Sequence, residues 1–386
     1  MNYNVKNLSE HLRRNGKPKR ILTLDGGGIR GILSIGILQK IEDTLREQHN
    51  ADDSFRLCHY FDLIVGTSTG SIIAAALAQG MTVESLRKIY MDIGKKIFKK
   101  SLLRKGLIRA KYDEDKLADA LKNIYGADTT LSSDSLKTGL LIITKRLDTG
   151  SPWPISNNPD GQYYTTKPNN TIGNSEYPLW QVVRASTAAP AFFDPETITI
   201  ADKPGYEPIT GNFIDGGVSP YNNPSLMALM YSTMEGYKIG WPTGADNILL
   251  VSVGTGSSNA NVTHSDISAK HAVNALLSVV DDCEVLQETI LQWMSSSPTA
   301  KTIGRELGNL QNDLITDTPL LSYLRYNINL NEQSIQKTGI DLPDEEQIKS
   351  LGEIDAPENM DTLHKLGVLL AEQDVKSKDF PLNFKL

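Results

Sequence analysis

The sequence predicts an α/β protein of three layers, α/β/α, with helices on both faces of a mainly parallel central sheet. Short apolar runs recur along the chain, segments with helical spacing follow them, and two of the runs close on glycine turns. Strands and helices in alternation build parallel sheets covered on both faces, with the functional site beyond the carboxyl ends of the strands.

Ile21 to Leu24 is the first such run; it ends in Asp25-Gly26-Gly27-Gly28, and Ile35, Leu38, Ile41 and Leu45 then recur at helical spacing. Phe61 to Val65 repeats the pattern, ending in Gly66-Thr67-Ser68-Thr69-Gly70 ahead of a small-residue helix, Ser71 to Ala78. Gly139 to Thr144 and Ile248 to Val253 continue the series. From Asp148 to Pro178 the chain is rich in Asn, Pro, Gly and Thr, which predicts a long surface excursion, a loop over the site or a mobile insertion. After Gly256 the pattern is helical, with Val279, Val280, Leu286 and Ile290 expected to be buried, and Leu320 to Leu330 is expected to be a further strand. These limits give an N-terminal extension over residues 1–18, a main unit over 19–330, and a helical segment over 331–386 that completes the same domain.

Composition narrows the function classes. With 386 residues, 39% hydrophobic and 22% charged, the chain is that of a folded globular protein. A net charge of -7 speaks against a nucleic-acid polymer as partner. Cys58 and Cys283 are the only cysteines, which excludes a disulfide scaffold and points to a reducing, cytoplasmic setting. The opening MNYNVKNLSEHLRRNGKPKR lacks the apolar core of a secretory signal, and no run approaches the roughly 18 apolar residues of a membrane span. Any lipid contact is therefore expected to be peripheral.

Gly66-Thr67-Ser68-Thr69-Gly70 is a G-x-S-x-G at a strand-to-helix junction, where the turn lifts the serine hydroxyl above the sheet and the helix start supplies free N–H groups. The alternative is a tight turn with a capping serine. Asp25-Gly26-Gly27-Gly28-Ile29-Arg30-Gly31 lets the backbone approach a ligand and aim N–H groups at one point, as an oxyanion hole requires. It also fits G-x-G-x-x-G, but the next strand arrives late and closes on Gly66 instead of an acidic residue, so a dinucleotide site ranks lower.

A nucleophilic serine needs a proton acceptor. His264, His271 and His364 are the histidines in the right order for a Ser-His-Asp triad, and none stands in a distinctive turn. Asp215 does: Phe213-Ile214-Asp215-Gly216-Gly217-Val218 is an apolar run opening into a double glycine. Taken alone, it also reads as an ordinary loop aspartate.

Together these pieces resemble the patatin-like phospholipases. LTLDGGGIRG (Leu22 to Gly31), FDLIVGTSTGS (Phe61 to Ser71), RASTAAPAFF (Arg184 to Phe193) and DGG (Asp215 to Gly217) occur in that family's order, with LLVSVGTG (Leu249 to Gly256) beyond them. The resemblance implies the family's three-layer fold and a lipid acyl hydrolase that works through a Ser-Asp dyad without histidine, metal or organic cofactor. It makes Ser68 the nucleophile, Asp215 the base and the N–H groups of Gly26, Gly27 and Gly28 the oxyanion hole, with Arg30, Gly66, Gly70 and Gly216 in support. Some bacterial relatives are described as cyclic-nucleotide-activated effectors that degrade membrane phospholipid in phage defence, which makes a cyclic nucleotide a candidate activator. The rival readings are a general carboxylesterase with a Ser-His-Asp triad and a ligand-gated signalling module on the same fold.

Between Asp92 and Asp113 the chain carries Lys95, Lys96, Lys99, Lys100, Arg104, Lys105, Arg109 and Lys111 among apolar residues, with no acid. Such a segment suits peripheral contact with anionic lipid, and it suits equally a solvated charged face or an effector surface.

Overall fold

Among the described residues, each apolar run that reads as a strand enters one nine-stranded sheet. The computed structural model describes residues 3–97, 114–190, 192–258, 268–341 and 344–386, with the backbone alone for residues 268–277. The strands are β1 (Lys19–Leu24), β2 (Leu63–Thr67), β3 (Gly139–Arg146), β4 (Pro152–Ser156), β5 (Glu196–Ala201), β6 (Ile209–Asp215), β7 (Ile248–Val253), β8 (Ser295–Ser296) and β9 (Leu321–Tyr326). Helices of eight residues or more are α1 (Gly31–Gln48), α2 (Thr69–Ala78), α3 (Val83–Ile97), α4 (Glu114–Tyr125), α5 (Leu179–Ser186), α6 (Ser225–Thr233), α7 (Ser268–Met294) and α8 (Met360–Asp374).

The sheet runs β5-β6-β3-β2-β1-β7-β9-β8, with β4 paired to β3. From β3 to β8 the neighbours are parallel, whereas β4, β5 and β6 form an antiparallel margin. Alternation along the strands separates two cores. Leu22, Ile64, Ile142 and Val251 face the layer that contains α1, α2 and α5, while Ile21, Val65, Ile143 and Leu250 face α6 and Leu291 of α7. Both faces of the sheet are thus buried, which makes the architecture α/β/α.

Three local expectations need correction. The surface excursion after Asp148 contains β4, whose Pro152 and Pro154 oppose Lys145 and Ile143 of β3. Proline hides the strand pattern but is tolerated on an edge, where a missing N–H breaks no ladder. The strand expected from Leu320 to Leu330 stops at Tyr326, because the Asn327 side chain takes over pairing, accepting from the Gly256 N–H and donating to Ser257 Oγ. On α7, Val279 and Leu286 are 56% and 59% exposed, and Val280 and Ile290 are only half-buried. The inward positions go to Leu291 and to Gln287, whose amide donates to the Pro220 carbonyl and accepts from the Leu226 N–H. A polar side chain with both ends satisfied can occupy a buried face and leave apolar neighbours outside.

The segment after 331 packs back on the start of the chain. Helix α8 lies along α1 so closely that a Cβ on Gly367 would stand 2.2 Å from the Leu33 carbonyl oxygen. Of the basic segment, Lys95 and Lys96 form the last turn of α3, and the rest lies outside the described residues. Among the described residues, no helix is long and apolar enough to cross a membrane.

Candidate active site

Strand register brings the conspicuous residues into one row. Leu24 pairs with Gly66, so the glycine turn after β1 reaches the level of Ser68. Thr67 pairs with Ile143 and Thr144 pairs with Asp215, so Ser68 and Asp215 flank the same level of β3. The antiparallel direction of β6 is what lets its last residue end there. Ser68 Oγ donates to Asp215 Oδ2 at 2.5 Å, both residues being buried. The other carboxylate oxygen, Oδ1, accepts from the Gly217 N–H at 2.7 Å, which fixes the plane of the carboxyl group.

Ser68 occupies φ 52, ψ -131, a region that L side chains rarely adopt, immediately before α2. That turn needs glycine on both sides: a Cβ on Gly66 would stand 2.3 Å from the Gly70 carbonyl oxygen, and one on Gly70 would stand 2.3 Å from the Leu24 carbonyl oxygen. Gly216 supports the other partner, since a Cβ there would stand 2.2 Å from the Ile143 carbonyl oxygen.

The glycine loop lies over Ser68, and its N–H groups are not equivalent. Gly26 donates its N–H to the Asn222 carbonyl at 3.1 Å, so it is not available to an oxyanion; expecting it as a donor is corrected on that ground. Gly26 serves a steric need, because a Cβ there would stand 2.9 Å from Ser68 Cβ. The Gly27 and Gly28 N–H groups carry no hydrogen bond among the described residues. The loop is held by Thr255 Oγ1 donating to the Gly26 carbonyl at 3.0 Å, by Tyr90 OH donating to the Gly28 carbonyl at 2.7 Å, and by Ile29 N–H donating to the Ile354 carbonyl at 2.9 Å. Arg30 reaches back toward the Gly27 carbonyl and Ser258 Oγ, each at 3.5 Å.

Below the loop, Asp25 and Arg325 form a buried ion pair at 2.6 Å, and Arg325 also donates to Ser252 Oγ at 2.8 Å. The Ser252 hydroxyl continues to Ser225 and thence to Thr23, so the strand ends beneath the loop share one hydrogen-bonded chain.

Ser68, Asp215 and the glycine loop open into a cavity of about 300 Å³. Its wall is largely apolar, from Ile72, Ile93, Ile97, Leu117, Phe192 and Phe193, while Arg30, Asn222, Asp281 and Glu284 contribute polar groups. Burial pushes the Asp215 carboxyl up to about 6; the hydrogen bonds from Ser68 and Gly217 pull the other way. The group is mostly ionised at neutral pH and basic enough to take a proton. Among the described residues no group of three or more His, Cys, Asp and Glu side chains is arranged to hold a metal ion.

The histidines divide. His364 lies on α8 and is not part of the cavity wall; His264 and the His271 side chain lie outside the described residues. Sequence reasoning missed Asn222, Tyr90 and Ile354, none of which belongs to a recognisable local pattern. It quoted Thr255 within LLVSVGTG and Ser186 within RASTAAPAFF without giving either a role.

Known proteins resemble the chain over most of its length. A family model described as patatin-like phospholipase matches residues 22–229. A cGAMP-activated phospholipase of Escherichia coli is 30% identical over 66% of this chain and 67% of its own length. Another of that name from Vibrio cholerae is 29% identical over 68% of this chain and 70% of its own. Patatin-like protein 2 of rice, Oryza sativa, is 28% identical over 93% of this chain and 85% of its own.

Proposed function

Because this chain belongs to the patatin-like phospholipase family and is a phospholipase by that membership, we propose that it cleaves fatty-acyl esters of membrane phospholipids through a Ser68-Asp215 dyad. The observation that carries the proposal is the 2.5 Å hydrogen bond from Ser68 Oγ to Asp215 Oδ2 beside an apolar cavity. Asp215 takes the proton as Oγ attacks the ester carbonyl, so no free alkoxide accumulates. Charge that develops on the carbonyl oxygen is met by the Gly27 and Gly28 N–H groups, each donor contributing about 3 kcal/mol to the transition state. Collapse of the tetrahedral intermediate expels the lysolipid alcohol, which takes the proton from Asp215. Water then enters, loses a proton to the same carboxylate and opens the acyl-enzyme, releasing the fatty acid and regenerating Ser68. The apolar wall suits an acyl chain, whose burial gains about 0.8 kcal/mol per methylene.

The enzyme acts on this proposal as a peripheral protein at the cytoplasmic face of a membrane, with residues 331–386 belonging to the same unit because Ile354 supports the glycine loop. Two relatives named as cGAMP-activated phospholipases support a cyclic dinucleotide as its activator, and a role in antiphage defence is the part of the proposal that rests on the family resemblance alone.

Fluorophosphonate labelling mapped by mass spectrometry tests the dyad: label on Ser68 in the wild type and none in Asp215→Asn is expected. A label on another serine, or full labelling of Asp215→Asn, contradicts it. Fatty-acid release from phospholipid vesicles with and without added cGAMP tests the activator, and an equal rate in both arms excludes it.

A further inference from the structure

We propose that Ser186 is the positioning residue that holds Ser68 in its attacking conformation. Ser68 is a non-glycine residue at φ 52, ψ -131, and a conformation of that kind persists only where neighbours impose it. Its carbonyl is held from within α2, by the N–H and hydroxyl of Ser71 at 2.8 and 2.6 Å. Its N–H is held from outside: it donates to Ser186 Oγ at 2.9 Å, and that hydroxyl donates onward to the Ile143 carbonyl at 2.6 Å.

The position of this relay explains why a hydroxyl is needed. Thr67 and Ile143 are the last pair of the β2–β3 ladder; beyond it the chain after β2 turns away to make the Ser68 bend, while β3 continues against β6. A Ser68 N–H and an Ile143 carbonyl are left where the ladder stops. A single group that accepts from one and donates to the other satisfies both, and the fully buried Ser186 side chain does so.

The same short stretch also holds the base and shapes the cavity. The Ala188 carbonyl accepts from the Asp215 N–H at 2.9 Å, and Ala189, Phe192 and Phe193 line the cavity. The end of α5 thereby ties nucleophile, base and acyl wall to one backbone segment, and Ser186 is its contact with the nucleophile.

The inference rests on Ser68 being the nucleophile, so the test reads Ser68 directly. Ser186→Ala, Ser186→Cys and a control, Ser232→Ala, which removes a buried hydroxyl that bonds to the Leu229 carbonyl of its own helix, α6, and does not line the cavity, are compared with wild type. The readouts are melting temperature, kcat and KM on a soluble short-chain ester, and the rate of fluorophosphonate labelling at Ser68. Expected is a fall of about tenfold or more in kcat and labelling rate for Ser186→Ala with KM nearly unchanged, since small misplacements of a reacting group carry penalties of that size. Ser186→Cys, a poorer acceptor, falls between, and supplies the comparison if the alanine variant does not fold; Ser232→Ala keeps the wild-type rates. Wild-type labelling rates in the folded Ser186 variants overturn the proposal, as does an equal loss in Ser232→Ala. A wild-type protein that takes no label at Ser68 overturns the nucleophile assignment itself.

Discussion

Asp215 uses its two carboxylate oxygens differently: Oδ2 accepts from Ser68 Oγ at 2.5 Å and Oδ1 from the Gly217 N–H at 2.7 Å. In the proposed mechanism one oxygen receives the proton that moves and the other fixes orientation. Ser68→Ala and Asp215→Asn are each expected to lower phospholipid hydrolysis by about 10³-fold or more, since each removes a member of a unit that works only together. Asp215→Asn preserves the hydrogen-bonding outline, so its melting temperature should stay near wild type or above it. Fatty-acid release and thermal melting measured on the same preparations check both halves.

The pH profile follows from the same carboxyl group. Burial raises Asp215 to about 6, and only its ionised form accepts the Ser68 proton. Activity is therefore present above that value and lost as pH falls through it, about tenfold per unit once well below. A plot of log kcat/KM against pH should bend near 6 on its acid side. A bend near 4, the ordinary carboxylate value, would show that the base is solvated rather than buried.

Gly28 is the loop position where side-chain addition is most costly. Its φ is 58, and a Cβ would stand 2.1 Å from the Ile354 carbonyl oxygen, a backbone atom that cannot swing aside. Gly28→Ala must move the loop, and with it the N–H groups of Gly27 and Gly28. A loss of about 10²–10³ in kcat is expected, the size seen when one oxyanion donor is removed. Steady-state kinetics on a soluble ester reads it, and a kcat within twofold of wild type contradicts the assignment of these donors.

Legibility in the sequence tracked how local each interaction is. Ser68, the glycine loop and Asp215 stand in contiguous motifs, and β1, β2, β3 and β7 are apolar runs long enough to declare themselves. Gly26 is different: its N–H looks as available as those of Gly27 and Gly28 until the fold brings the Asn222 carbonyl to it. Ser186 was hidden for the same reason, its partners being Ser68 and Ile143 on two other elements. On α7 the period of the apolar residues is helical, but their face is decided by the hydrogen bonds of Gln287, which no apolar pattern encodes. The prolines of β4 concealed a strand by composition alone.

Arg325 links the late part of the chain to the glycine loop. It lies beyond the stretch matched by the family model, yet its guanidinium meets Asp25, the residue before Gly26, at 2.6 Å with both side chains buried. Removing one member of such a pair strands a charge in the interior and costs about 3–5 kcal/mol. Arg325→Met is expected to lose stability on that scale, and adding Asp25→Asn should recover part of it. Urea denaturation of the two single variants and the double variant measures the coupling, and additive losses would mean that the pair is not coupled.

Glu42 gives the protein a stability dependence on pH that is separate from catalysis. It is buried on α1; one oxygen accepts from the Val83 N–H, and the other, Oε1, has no hydrogen-bond partner among the described residues. Burial pushes its carboxyl from 4.5 up to about 7, against smaller opposing contributions from the Val83 N–H and Arg56. The folded state therefore holds this proton more tightly than the unfolded chain. Below about 4.5 both states are protonated and Glu42 carries no penalty; between 4.5 and about 7 stability falls as pH rises, by about 3 kcal/mol in all. Glu42→Gln stays neutral and keeps an oxygen for the Val83 N–H, although its amide nitrogen inherits the unpartnered place and offsets some of the gain. The expected signature is a change of slope: melting temperatures of wild type and Glu42→Gln should diverge between about pH 4.5 and 7, with the variant gaining as pH rises, and run parallel above that. Parallel curves over that range would place the Glu42 charge in solvent and remove it as a source of pH sensitivity.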